Sequence, residues 1–320
     1  MPRNNNVKRK GFPMEVRFNE GSKTEFKNNL ESIKVSLIQY PTYEELLDYV
    51  PGFVDATWND TPYLAIEYPE KEKKQLIYDA IHGKTLPTVM ETIRFTFLIE
   101  GISLQEVTHI LRHRGASFSA DCSADKWWNN KAALVPNSIE HSEEFYNRYK
   151  KIVKEAKQLY CDIIDSKKCS IMDARYILPR CLETYYYMSM NLKDVIGFLH
   201  QRIDRMIQPE TDNILAYKMY LEILKKCYFI YDLIDINETP MHYVKTATTK
   251  KCTRLYVPEP NADKFEWNEK DILYYPQYRN DMNGTDVESN NFHSRFLKMF
   301  DKLYEEIKTQ EDLNRENFGI

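Results

Sequence analysis

Apolar residues recur along this chain at two spacings, close to 3.6 and exactly two residues apart, and their order predicts a mixed fold. Val35 to Ile38 reads as a short strand, and Glu70 to Ala80 as a charged surface helix. At the end of Val89–Ile99, Phe95, Phe97 and Ile99 alternate with Arg94, Thr96 and Leu98, which predicts a strand. Ser103 and Glu106 then make a capping-box start for a short helix whose Leu104, Val107 and Leu111 fall on one face. Gly115 is its natural stop. A long charged helix is expected from Glu140 through Ile164, with Tyr146, Tyr149, Ile152, Val153 and Ala156 at helical spacing. Ser170–Asp173 is an acidic capping start for a segment that must bend or break at Pro179. Asn191–Asp194 repeats that start before a helix through Met206, and another helix covers Asn213 to about Leu233. Asn237 to Asn291 is rich in Pro, Asn and Asp and reads as a long extended excursion. A final amphipathic helix carries Phe292, Phe296, Met299, Leu303 and Ile307.

These elements predict a helix-dominated α+β domain. The expected division is a flexible, polar arm at 1–30 with a small basic cluster, Lys8–Lys10, a catalytic-size domain at 31–235 and a C-terminal extension at 236–320. The composition (42% hydrophobic, 29% charged, net charge −4) is that of a soluble globular protein and argues against a general nucleic-acid coat. Glycine is scarce, at 9 residues, and neither a G-x-G-x-x-G nor a Walker A pattern occurs. Bound phosphates would therefore be held by side chains and helix ends. The six cysteines form no C-x-x-C pair, and the residues after Met1 are polar rather than apolar. Both features fit a reducing cytoplasm, with no membrane association.

Candidate chemistry begins at Arg112-His113-Arg114, in the last turn of the short helix or just beyond it. Such cations can simply complement the negative end of the helix dipole. Followed by Gly115 and several serines, they also suit an anionic ligand. Arg202 falls on the apolar stripe of Val195, Leu199 and Met206 and needs an anionic partner, either an internal carboxylate or a bound phosphate or carboxylate. Arg175 is similarly embedded among apolar neighbours.

With these blocks in place, the chain resembles the flavin-dependent thymidylate synthases. The intact Arg-His-Arg triplet carries the resemblance, with Ile93–Phe97 as the strand before it. Ala174-Arg175-Tyr176-Ile177-Leu178-Pro179 is similar to the family's Ala-Arg-x-x-Leu-Pro. Asn191 stands eleven residues before Arg202, and Arg202, Asp204, Gln208 and Glu210 keep the family's spacing. The resemblance spans roughly residues 85–230 and implies a helix-rich core with a small antiparallel sheet. It implies a homotetramer with FAD at subunit junctions, and NADPH and 5,10-methylenetetrahydrofolate as cosubstrates. A one-carbon unit would pass to C5 of a pyrimidine deoxynucleotide, dUMP to dTMP. Arg112, His113 and Arg114 would then act on the flavin diphosphate and reduced ring, with Asn191 and Lys193 as further cofactor contacts. His109, Asp121, Cys122, Ser123, Arg175 and Arg202 would bind substrate. Trp127, Trp128 and Tyr185–Tyr187 could stack on rings or simply pack the core.

The loop after the triplet departs from the family. Its Glu-x-Ser-x-Arg becomes Ala120, Cys122 and Ala124, or, with one insertion, Asp121, Ser123 and Asp125. Lys193 stands where the family usually has Arg, and Gly197 replaces another polar position. These losses fall on the substrate side. Asp121 or Asp125 could accept from an exocyclic amine, so dCMP methylation or hydroxymethylation is the alternative. Cys122 could be a nucleophile whose pKa the nearby arginines lower, or merely a small residue in place of serine. A relative that binds nucleotide or nucleic acid without chemistry is the reading from a different class.

Overall fold

A computed structural model describes residues 24–62, 66–123, 128–203, 209–234 and 291–318. Its organising element is strand β3 (Arg94–Ser103), in which Phe95, Phe97 and Ile99 are fully buried, so the alternation read from the sequence sets the core face. The other strands are β1 (Phe26–Asn28), β2 (Lys34–Gln39), β4 (Ser117–Ala120), β5 (Ala133–Val135) and β6 (Glu183–Asn191). Four of them form an antiparallel sheet in the order β2-β3-β6-β4, while β1 and β5 pair in parallel as a small separate ribbon. Gly101 adopts φ +70° at a bulge where β3 pairs with β6. A Cβ there would strike the carbonyl of Ser32, so glycine is required.

The helices are α1 (Tyr43–Asp55), α2 (Glu70–Ile81), α3 (Leu104–Ile110), α4 (Asn137–Glu140), α5 (Glu143–Ser166), α6 (Ile171–Ala174), α7 (Leu192–Arg202), α8 (Glu210–Lys226) and α9 (Asn291–Phe318). The predicted capping box is present on α3: Ser103 accepts from the amides of Gln105 and Glu106, and Glu106 accepts from the Ser103 amide at 2.8 Å. Ile110, rather than Leu111, completes its buried face; Leu111 is exposed. The long helix begins later than expected, because Asn137–Glu140 forms a separate turn, and Ile152 faces solvent while Val153, Tyr160 and Ile164 are buried. α7 ends at Arg202, short of Met206, which lies outside the described residues together with 204–208. The extended excursion read over Asn237–Asn291 also lies almost wholly outside them.

Besides the short strands β1, β4 and β5, two longer elements had not been read from the sequence. Helix α1 carries a full capping box, with Thr42 accepting from Glu45 and Glu45 accepting from Thr42. Its internal Pro51 hides it, since proline usually signals a break. Strand β6 buries Thr184, Tyr186, Met188 and Met190 against the core. The inward residues of β3 and β6 join α1, α2, α7, α8 and α9 in one apolar core. A smaller cluster forms around Trp128, Val153, Tyr160 and Leu182. The C-terminal α9 is part of the main core through Phe296, Phe300, Leu303 and Ile307, all buried. Its Asn314 side chain donates to the Leu224 carbonyl of α8 at 2.9 Å, and Tyr220 of α8 donates to Glu311 at 2.8 Å.

Candidate active site

The connectivity places the Arg-His-Arg turn against the start of α7. Strand β3 ends in α3, the chain turns through 112–115, and β4 returns alongside the end of β6, with Ser117 opposite Ser189. α7 starts directly from β6: Asn191 is its N-cap, and its side-chain oxygen accepts from the Asp194 amide at 2.9 Å. The Asp194 carboxylate lies so close to Gly115 that a Cβ at 115 would collide with it, so glycine here permits the turn to dock on α7.

Between these elements lies a cavity of about 430 Å³ lined by Arg112, Arg114, Gly115, Lys193, Asp194 and Gly197 among others. Four cationic side chains, Arg112, Arg114, Lys193 and Arg202, meet one carboxylate, Asp194, so the lining favours an anion. Arg112 and Arg114 are exposed, and among the described residues neither guanidinium has a hydrogen-bonding or ionic partner. Lys193 pairs with Glu91 at 2.7 Å, both half-exposed, so much of its charge is already answered.

His113 differs from its two neighbours. Its Nε2 accepts from Arg202 Nε at 2.9 Å, and its ring packs edge-on to Phe198. Burial, then the charge of Arg202, pulls its pKa down to about 4. At neutral pH the triplet therefore carries two positive charges, with a neutral imidazole between them.

Arg202 is buried, as its stripe position requires, and it has the internal partner that the sequence left open. Its Nη1 lies 2.7 Å from Asp212 Oδ2, and the two side chains are 6% and 1% exposed. Asp212 also meets His109 Nδ1 at 2.9 Å, and Asn213 donates to the Arg202 carbonyl at 2.7 Å. Asp212 is thus a site residue the sequence reading missed. The signal for it was the demand of a buried arginine for a carboxylate, but only the packing of α8 beside α7 says which one.

The remaining expected residues are not brought into this cavity within one protomer. Arg175 sits half-buried in a 3-10 turn, Arg175–Ile177, beside the smaller core cluster, and does not line it. Cys122 and Ser123 follow β4, which runs away from the turn; the Asp121 amide bonds to the Tyr185 carbonyl. Tyr185 lies six residues from Asn191 on β6, about 20 Å at strand rise. Cys122 is exposed there, and its carbonyl accepts from the Trp128 indole at 3.4 Å. The Asp121 carboxylate is fully buried and pairs with Lys131 at 2.6 Å. Within one protomer that carboxylate is therefore answered by a lysine. Asp125 and Trp127 lie outside the described residues. Trp128 and Tyr186 are core residues, while Tyr187 is exposed.

The family described as "Thymidylate synthase complementing protein" matches residues 45–227. A flavin-dependent thymidylate synthase from Pyrococcus furiosus is 27% identical over 205 residues, covering 61% of this chain and 80% of its own. One from Clostridium tetani is 28% identical over 218 residues, covering 60% and 83%. In fold, the chain is similar to the UMP/dUMP methylase PolB from Streptomyces cacaoi bound with 5-Br dUMP, with TM-score 0.53 and 18% identity over 65% of this chain and 96% of that one. The triplet turn docked on α7, the buried arginine at the end of that helix and a family match over more than half of the chain have one meaning: the chain belongs to the family of the flavin-dependent thymidylate synthases.

Proposed function

We propose that this protein transfers a one-carbon unit from 5,10-methylenetetrahydrofolate to C5 of a pyrimidine deoxynucleotide, converting dUMP to dTMP with bound FAD and NADPH as reductant. The observation that carries this reading is the pair of unneutralised guanidiniums, Arg112 and Arg114, at the mouth of the cavity beside α7. Two such groups suit the two charges of a diphosphate, which the guanidinium fork recognises well. The Gly115 turn keeps backbone close to that position, and the start of α7 adds its positive dipole end. Asn191 has its oxygen committed to the Asp194 amide, so its NH2 is the group left to donate to a ligand. What a bound flavin supplies here is reducing equivalents taken from NADPH, which complete the methyl group.

The substrate side follows from the separation seen above. Asp121, Cys122 and Ser123 stand about 20 Å along the sheet from the cavity, so one protomer holds two half-sites. A cytoplasmic homotetramer with flavin sites at subunit junctions brings the loop of one subunit to the cavity of another. Arg202 is expected to orient substrate through its His113 and His109 contacts while Asp212 holds it.

An absorbance spectrum of the purified protein, repeated anaerobically with NADPH, tests this. A flavin spectrum that bleaches and then returns on adding dUMP and methylenetetrahydrofolate is the expected result. UMP and dCMP run in parallel identify the base and sugar. A colourless protein that FAD cannot reconstitute would instead favour a binding module without chemistry.

A further inference from the structure

We infer that Arg295, near the start of α9, is a positioning residue for the site: through Glu140, Asn28 and Asn137 it fixes the first turn of α8, and with it the Asp212 that holds Arg202. This rests, for its kinetics, on the functional reading above. α9 lies beyond residues 45–227, the stretch that matches the family, yet it packs into the main core along α8. Its Phe300 ring lies 4.5 Å from that of Tyr217, and Asn314 bonds to the Leu224 carbonyl. Those contacts dock the helix. Arg295 comes before them in the chain, and its charge is directed elsewhere.

The first turn of α8 has to be held from outside. α8 follows Pro209 and has no side-chain cap, although Thr211, Asp212 and Asn213 in that turn are all buried. Asp212 and Asn213 bond to Arg202 at the end of α7. A further tie starts at Glu210, which accepts from Asn137 Nδ2 at 3.5 Å. Asn137 is buried, and its oxygen accepts from Asn28 Nδ2 at 3.4 Å. The same Asn28 NH2 donates to Glu140 at 2.6 Å, while the Asn28 oxygen takes the amides of Leu30 and Glu31. Asn28 cannot flip, because its donors and acceptor are all committed. Arg295 ends this chain of bonds: its guanidinium meets Glu140 and, 3.4 Å from Nε, Glu31. Burial pushes the Glu140 carboxyl up, but the bonds from Asn28 and Arg295 hold it below the usual carboxylate range. The Glu140 side chain is 27% exposed, so without Arg295 its charge turns to water, and Asn28 and Asn137 lose the group that orients them.

The test compares the native full chain with Arg295→Met, which keeps an apolar stem for packing, and Arg295→Lys, which keeps the charge. The readouts are Tm, FAD affinity, kcat and KM for dUMP, and the midpoint of the His113 ring signal in NMR. In Arg295→Met, KM for dUMP should rise about tenfold, while kcat and FAD affinity stay within about twofold of native. The His113 midpoint should move up from about 4 towards 6.5, because an Arg202 released by Asp212 no longer presses its charge on the imidazole. Arg295→Lys should recover most of both changes. A lower Tm, with KM and the His113 midpoint as in native protein, would overturn the inference and leave Arg295 an anchor of α9 alone. Should Arg295→Met fail to fold, Glu140→Gln breaks the same chain of bonds one link on, and an unmoved His113 midpoint there would overturn the inference equally. If native protein forms no dTMP, the functional reading fails by itself, and the His113 midpoint in Arg295→Met still decides the role of Arg295.

Discussion

Arg202 and Asp212 form an ion pair at 2.7 Å between side chains that are almost wholly buried, joining the end of α7 to the first turn of α8. The pair sits under the Arg-His-Arg turn, because Arg202 also donates to His113 and Asp212 also meets His109. Removing one partner leaves the other charge in the core without an answer, which costs far more than the pair itself contributes. Asp212→Ala should therefore destabilise the protein by about 3–5 kcal/mol in urea unfolding. Replacing both by apolar residues, Arg202→Met with Asp212→Leu, should cost less than Asp212→Ala alone. If the double variant were the less stable of the two, the buried pair would be a net source of stability.

His113 makes folding depend on acid. Burial and the neighbouring Arg202 hold its folded-state pKa at about 4, below the ordinary 6.5. Between those values the unfolded chain binds the proton and the folded one does not, so stability rises with pH across this window. The contribution is whole above about 6.5 and is lost as pH falls towards about 4. His113→Gln should flatten that acid limb, and a ring carbon signal of His113 followed by NMR should titrate near 4. A midpoint near 6.5 would mean that His113 is not buried beside Arg202 in solution.

The parts of this arrangement that could be read from sequence are those whose physics is local. β3 was legible because Phe95, Phe97 and Ile99 alternate with more polar partners, and α3 because Ser103 and Glu106 cap it. β6 was not, since Tyr185, Tyr187 and the buried Tyr186, Met188 and Met190 make both faces apolar or aromatic and erase the alternation. In the site, the triplet, Asn191 and the strain of a buried Arg202 were visible. Asp212 as its partner, the neutrality of His113 and the burial of Asp121 against Lys131 were not, because each depends on how one element packs on another and not on the periodicity within an element.

A second histidine should act in the opposite direction. His82, at the end of α2, holds Asp232 through Nε2 at 2.7 Å and the Tyr78 carbonyl through Nδ1 at 2.8 Å. Burial pulls its pKa down, but the hydrogen bonds to Asp232 and Tyr78 together outweigh it, and the net shift is upward. The folded state then keeps a proton that the unfolded chain releases. Stability from this pair is complete below about 6.5 and declines as pH rises through the higher folded value. His82→Gln should remove that alkaline decline. An unchanged pH profile on the alkaline side would show that the pair contributes nothing measurable.

Arg114 and Cys122 separate the two ends of the proposed site. Arg114 stands at the cavity without a partner among the described residues, so its charge is free for a ligand phosphate. A charge-assisted hydrogen bond contributes about 1.5–3 kcal/mol, so Arg114→Ala should weaken FAD binding by about tenfold or more. Arg114→Lys should recover only part of it, since a single ammonium cannot reproduce the guanidinium fork. Cys122 is exposed at the far end of β4, away from the cavity of its own protomer, and the reaction proposed here needs no thiolate adduct. Cys122→Ala should accordingly keep FAD affinity and dTMP formation within about twofold of native, a change of under 0.5 kcal/mol. A Cys122→Ala variant that bound FAD normally yet formed no dTMP would make that thiol a nucleophile, and the substrate half of the proposal would have to be rebuilt around it.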